Sequence, residues 1–114
     1  MFENSIFNNR IDTWNFENVK DMSYMFAGSA FNQPLNGLLF NIEVKSMAHM
    51  FENAQYNKDL DEWSNKIKHV EDMSYMFAGE YCMFNKDISD WNVDYINTGH
   101  MFEGNKVIKR CYRP

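Results

Sequence analysis

The sequence predicts a repeat protein of the α/β class: a leucine-rich-repeat-like, right-handed solenoid of short parallel strands and short helical turns, with about four units of about 25 residues. Three observations predict it. Met-Phe recurs at Met1-Phe2, Met25-Phe26, Met50-Phe51, Met76-Phe77 and Met101-Phe102, in steps of 24, 25, 26 and 25 residues. An aromatic-Asn pair recurs in the same order, at Phe7-Asn8, Phe31-Asn32, Tyr56-Asn57 and Phe84-Asn85. The apolar residues of Ile11-x-x-Trp14-x-Phe16-x-x-Val19 and Ile88-x-x-Trp91-x-Val93-x-x-Ile96 have the spacing of a leucine-rich-repeat strand segment, with aromatics in place of leucine.

These anchors divide one domain, residues 1–114, into a partial N-terminal unit (1–6), four repeats (7–30, 31–55, 56–83 and 84–105) and a degenerate C-terminal capping strand (106–114). Each repeat has two blocks of constant spacing. Seven residues always separate the aromatic of aromatic-Asn from the next Trp or Leu, as from Phe7 to Trp14 and from Phe31 to Leu38. Six separate Val19 from Met25, Val44 from Met50 and Val70 from Met76. Between the blocks the length varies: Trp14 to Val19 is five residues, Leu38 to Val44 six and Trp63 to Val70 seven. Packed elements resist insertion and loops accept it, so the variable stretches read as loops.

The first block ends in alternation, Trp14 with Phe16, Leu38 with Phe40, Trp91 with Val93, which predicts the strands. The second, Val19-x-x-Met22-x-x-Met25-Phe26, has the three- and four-residue spacing of a short α- or 3₁₀-helix. Asp21, Ser46 and Asp72 precede its central Met, where they could cap it. Asn8, Asn32, Asn57 and Asn85 share one repeat position and are expected to form a buried ladder bonded to loop backbone. At the end of the chain, Val107, Cys111 and Pro114 fall on the aromatic, Ile and Trp positions of a last strand whose charges blunt the edge.

Composition narrows the function. The net charge of −5 argues against nonspecific binding to nucleic acid or anionic lipid, with one local exception where Lys106, Lys109, Arg110 and Arg113 cluster. No apolar run is long enough to span a membrane, and the first ten residues have no signal-peptide pattern. Cys82 and Cys111 occupy non-equivalent positions; they read as small buried thiols with no bond between them.

The search for chemistry yields no catalytic, cofactor or metal set. Tyr24, His49, Tyr75 and His100 share the position before Met-Phe and form a column. His49 and His100 are two repeats apart, roughly 10 Å at a strand spacing of about 4.8 Å, which is too far for one zinc ion. His69 lies in the long loop of the third repeat. Asp59, Asp61, Glu62, Asp87 and Asp90 cluster without a calcium-loop pattern and read as a solvated acidic face. The five glycines form no phosphate-binding loop.

The strings VKDMSYMFAGSAFNQPL and VEDMSYMFAGEYCMFNKDISDWNV resemble the BspA-like, leucine-rich-repeat-type surface-protein repeats, also described as a mycoplasma repeat of unknown function. The resemblance runs from Met1 to about Glu103, with departures at Gly37-Leu38-Leu39, Asn65 and Gly99. It implies a cell-surface or viral-particle setting and a role without catalysis. The expected function is therefore noncatalytic protein–protein recognition, surface-protein or adhesin-like. The alternative is a structural component of a larger assembly, such as a virion shell or surface layer. Two candidate interaction groups follow: the column Tyr24, His49, Tyr75 and His100, and the N-terminal edge with Phe2, Phe7 and Trp14. The expected partner at that edge is another protein or a copy of this chain.

Overall fold

The computed structural model describes residues 1–114. Regular secondary structure is almost absent. There are two short 3₁₀ turns, Asp61–Asn65 and Arg110–Tyr112, and four isolated parallel bridges: Phe16 with Phe40, Asp21 with Ser46, Ser46 with Asp72, and Asp72 with Asn97. No sheet forms. The expected leucine-rich-repeat-like solenoid of parallel strands and helical turns is therefore corrected: the chain is a compact globule of 32 × 32 × 18 Å built from turns. The leucine-rich-repeat label, and the adhesin reading attached to it, lose their support with it.

The backbone hydrogen bonds give the physical reason. In the Met-Phe block of the first repeat, the N–H groups of Met22, Tyr24, Phe26 and Gly28 donate to the carbonyls of Ser46, Ala48, Met50 and Glu52, at 2.8–3.0 Å. The intervening N–H groups of Met25, Ala27 and Ser29 donate three residues back, to Met22, Tyr24 and Phe26. The pattern recurs one layer on, from Met47, His49, Phe51 and Asn53 to Asp72, Ser74, Met76 and Ala78. A helix needs consecutive local bonds and a strand needs an extended backbone. Here alternate donors leave for the next layer, and a left-handed residue recurs at every fourth position. Tyr24 (φ 59°) is followed by Gly28 (φ 64°), His49 (58°) by Asn53 (53°), Tyr75 (58°) by Gly79 (103°) and His100 (59°) by Gly104 (78°). Neither regular element survives that alternation.

The predicted caps act on turns instead. Asp21 Oδ1 accepts the N–H of Ser23 at 2.9 Å, Ser46 Oγ that of Ala48 at 3.3 Å, and Asp72 Oδ1 that of Ser74 at 2.8 Å. The asparagine ladder exists, but along a partly exposed rim and not in the core. Asn32 N–H donates to Asn8 Oδ1 at 2.7 Å, Asn57 to Asn32 at 2.9 Å, Asn85 to Asn57 at 2.8 Å and Lys109 to Asn85 at 3.0 Å.

That last bond also corrects the C-terminal register. Lys109 stands one layer beyond Asn85, so Ile108 takes the aromatic position and is buried, while Val107 points outward. The expected capping strand is the 3₁₀ turn Arg110–Tyr112. Tyr112 packs on the core at the Ile position, its carbonyl accepting the Ile88 N–H at 3.0 Å. Cys111 is left exposed, against the expectation of two buried thiols; Cys82 is buried, and neither is in a disulfide.

One hydrophobic core runs through all layers. Phe2, Phe26, Phe51, Phe77 and Phe102 stack with centroids 5.4, 5.5, 5.5 and 5.8 Å apart. Phe7, Phe31, Tyr56 and Phe84 form a parallel file at 6.4, 6.2 and 6.4 Å. Trp63 and Trp91 stack at 6.4 Å, and each indole N–H reaches back one layer, to the carbonyls of Leu35 (2.9 Å) and Leu60 (3.1 Å). Burying these rings is the dominant favourable term of the fold.

Candidate recognition surface

The structure brings Tyr24, His49, Tyr75 and His100 into one file of nearly parallel rings. Centroids lie 4.4, 4.8 and 4.9 Å apart, with interplanar angles of 4°, 6° and 13°. The inter-layer bonds set this pitch, since each ring hangs on a residue whose N–H or neighbouring carbonyl joins the ladder. The two histidines are separated by Tyr75, so no metal ion can bridge them. Each is held by the glutamate three residues on: His49 Nδ1 to Glu52 Oε1 at 2.9 Å, His100 Nδ1 to Glu103 Oε2 at 3.2 Å. At the tyrosine layers the same position is Ala27 or Ala78. The file therefore alternates Tyr-Met-Phe-Ala with His-Met-Phe-Glu. Carboxylates beside Nδ1 favour the tautomer that leaves Nε2 free for an outside donor.

All four residues are left-handed, and a bulky side chain there costs about 1–2 kcal/mol. Asn4, Gly28, Asn53, Gly79 and Gly104 meet the same backbone demand with the residues that physics prefers. At Gly79 a Cβ would collide with the Asn53 side-chain amide, so that position is closed to larger residues. Three ring stacks return roughly 0.5–1.5 kcal/mol each, so strain and stacking at best cancel. Stability alone does not select Tyr and His at these positions. Tyr24 is 43 % exposed and His100 is also exposed.

Phe2, Phe7 and Trp14 also come together, on the outer face of the first layer. Phe2 lies 4.9 Å from Phe7 and 6.1 Å from Trp14, and Phe7 lies 6.2 Å from Trp14. Phe2 and Phe7 are half-buried. Trp14 is 46 % exposed, whereas its equivalents Trp63 and Trp91 are 0 % and 3 %. No ring contact joins this cluster to the Tyr/His file.

The carboxylates do not converge. Asp61 accepts from Asn36 Nδ2 at 2.9 Å, and Asp87 turns back on Ser89, whose hydroxyl and N–H hold its carboxyl below the usual value. No group of three or more His, Cys, Asp or Glu is placed to hold a metal ion. Burial pushes the Cys82 thiol up to about 11, which keeps it protonated and unreactive at neutral pH. No helix is long and apolar enough to cross a membrane.

The family model described as Mycoplasma protein of unknown function, DUF285, matches residues 1–81. The chain belongs to that family. Six of the seven candidate residues of this DUF285 protein, all but His100, lie inside the matched stretch. No curated protein and no solved structure matches it.

Two features escaped the sequence reading. The left-handed Asn/Gly column was legible, because Asn or Gly follows every Met-Phe by two residues. The other is a cleft of about 450 Å³ between the loops of the third and fourth repeats, with Lys45, Lys68, His69 and Tyr95 among its lining residues. Its only signal was the difference in loop length: Trp63 to Val70 is seven residues and Trp91 to Ile96 five.

Proposed function

We propose that this DUF285 chain is a noncatalytic module for protein–protein recognition, and that the Tyr24/His49/Tyr75/His100 file is its contact stripe. One observation carries the reading: four aromatic residues occupy a left-handed conformation that the same chain, four residues further on, gives to Asn and Gly. Backbone strain retained without a stability gain is a marker of function. The stripe offers ring edges, tyrosine hydroxyls and histidine Nε2 atoms at regular intervals, a mixture suited to a protein partner.

The test uses substitutions that keep the backbone content. Tyr24→Asn and His100→Asn place a residue that tolerates the left-handed region at the two exposed ends of the file. The double variant is expected to melt like the parent and to lose a partner that the parent captures and then binds as a purified pair. If parent and variant capture the same proteins equally, the stripe is not the contact surface.

A second reading has its own observation, the exposed Trp14 beside Phe2 and Phe7. We propose that this face docks on another polypeptide, either a second copy or a structural neighbour in a larger assembly. Sedimentation across a concentration series should then show association that Trp14→Ala abolishes. A chain that stays monomeric at high concentration, with Trp14 emission characteristic of water, contradicts self-docking.

A further inference from the structure

The cleft between the third and fourth repeats has a structural cause. In the fourth repeat Ile96 is followed directly by the bridging Asn97, whereas Val70 is separated from the bridging Asp72 by Glu71, so one residue is missing. In the third repeat the loop from Trp63 to Val70 is two residues longer than its counterpart from Trp91 to Ile96, and it opens with the 3₁₀ turn Asp61–Asn65. A long loop beside a short one cannot close, and a concavity of about 450 Å³ remains. In repeat proteins, insertions confined to loops on one face often build the binding face.

Its walls carry more cation than carboxylate. Lys45 and Lys68 bring two ammonium groups and His69 an imidazole, and none of the three forms an ion pair. The chain has 16 acidic and 11 basic residues, so unpaired cations gathered at one concavity run against its overall charge. Glu71 is the single carboxylate in the lining. The floor is apolar, with Ile67 and Val70 almost wholly buried. Tyr95 stands in the wall 97 % exposed, an aromatic face without a neighbour.

We infer that this cleft binds a short acidic peptide segment of a partner protein. Lys45 and Lys68 receive its carboxylates, and Tyr95 receives an apolar or aromatic residue between them. Charge complementarity selects the occupant: ammonium groups on a flexible stem serve carboxylates as point charges, and they steer an anionic segment toward the concavity. The inference goes beyond the recognition reading, because it uses a different surface from the Tyr/His file.

The probe is the pentapeptide acetyl-Glu-Glu-Tyr-Glu-Glu-amide, titrated into the ¹⁵N-labelled full chain at low salt. Saturable amide shifts confined to Lys45 and residues 64–71 and 92–96 are expected. Binding should fall as salt rises. Lys45→Gln with Lys68→Gln should weaken it by about tenfold without changing the melt. Tyr95→Ala, at a residue with no burial to lose, should weaken it as well. Shifts that are absent, spread over the whole chain, or equally large with the all-lysine counterpart of the peptide overturn the inference. A sulfated disaccharide that binds as tightly overturns it too, and reassigns the cleft to acidic sugars. If the peptide fails while Tyr24→Asn with His100→Asn still abolishes partner capture, the recognition reading stands and only the cleft is refuted.

Discussion

Tyr56→Phe should make the protein more stable. Tyr56 is completely buried in the file where every other layer carries Phe7, Phe31 or Phe84. Its hydroxyl is the buried side-chain polar atom without a hydrogen-bond partner. The Leu35 backbone N–H approaches the phenol oxygen and works against the burial that raises its pKa, but it completes no hydrogen bond to it. An unsatisfied buried polar group costs about 1–3 kcal/mol. Removing it leaves the ring stacks at 4.7 Å on Phe51, 6.2 Å on Phe31 and 6.4 Å on Phe84 unchanged in kind. Since a nearby N–H softens the penalty, the lower end applies: about 1 kcal/mol of stabilisation, or roughly 4 °C in Tm for a chain of this size. Reversible urea unfolding of both proteins measures it. The converse change, Phe31→Tyr, puts a second hydroxyl at the same position one layer away and should destabilise by about 1–3 kcal/mol. A loss of more than about 0.5 kcal/mol in Tyr56→Phe would show that the hydroxyl is bonded and refute the reasoning.

Phe51→Ala should cost about 3–5 kcal/mol, because the ring is fully buried between Phe26 and Phe77. Phe102→Ala, at a partly exposed end of the same file, should cost less than half of that, and equal losses in parallel denaturant melts would contradict the layered core. Asn57→Ala removes the acceptor for the Asn85 N–H and should cost about 0.5–1.5 kcal/mol, whereas Asn57→Asp keeps an acceptor and should cost less; the same melts decide. Cys111 should react with a thiol reagent in the native protein and Cys82 only on unfolding, as read by mass spectrometry after timed quenching. Burial raises the Cys82 thiol from 9.0 to about 11 and the Tyr56 phenol above its usual 10.0, so both protons are held more tightly in the folded chain than in the unfolded one. Their stabilising effect is complete below pH 9 and is lost as pH rises beyond it. Cys82→Ala should therefore flatten the stability profile between pH 9 and 11.

Much of the candidate surface was legible because stacked layers repeat one environment per period. A residue type that recurs every 24–28 positions must meet its own kind in the next layer. The sequence by itself therefore determined that Phe26, Phe51 and Phe77 share a file, that Asn8, Asn32, Asn57 and Asn85 share another, and that Tyr24, His49, Tyr75 and His100 stand together. It did not determine the backbone path. Spacings of three and four are common to a 3₁₀-helix and to successive turns, and the choice lay with N–H groups such as that of Phe26, whose acceptor is the Met50 carbonyl in another layer. The C-terminal register was beyond reach for the same reason: Val107 and Ile108 are equally apolar, and the Asn85 side chain, by accepting the Lys109 N–H, decides between them. The cleft between the third and fourth repeats needed the tertiary structure most. A loop length counts residues, while a concavity depends on how far two unequal neighbours stand apart once their shared core is packed.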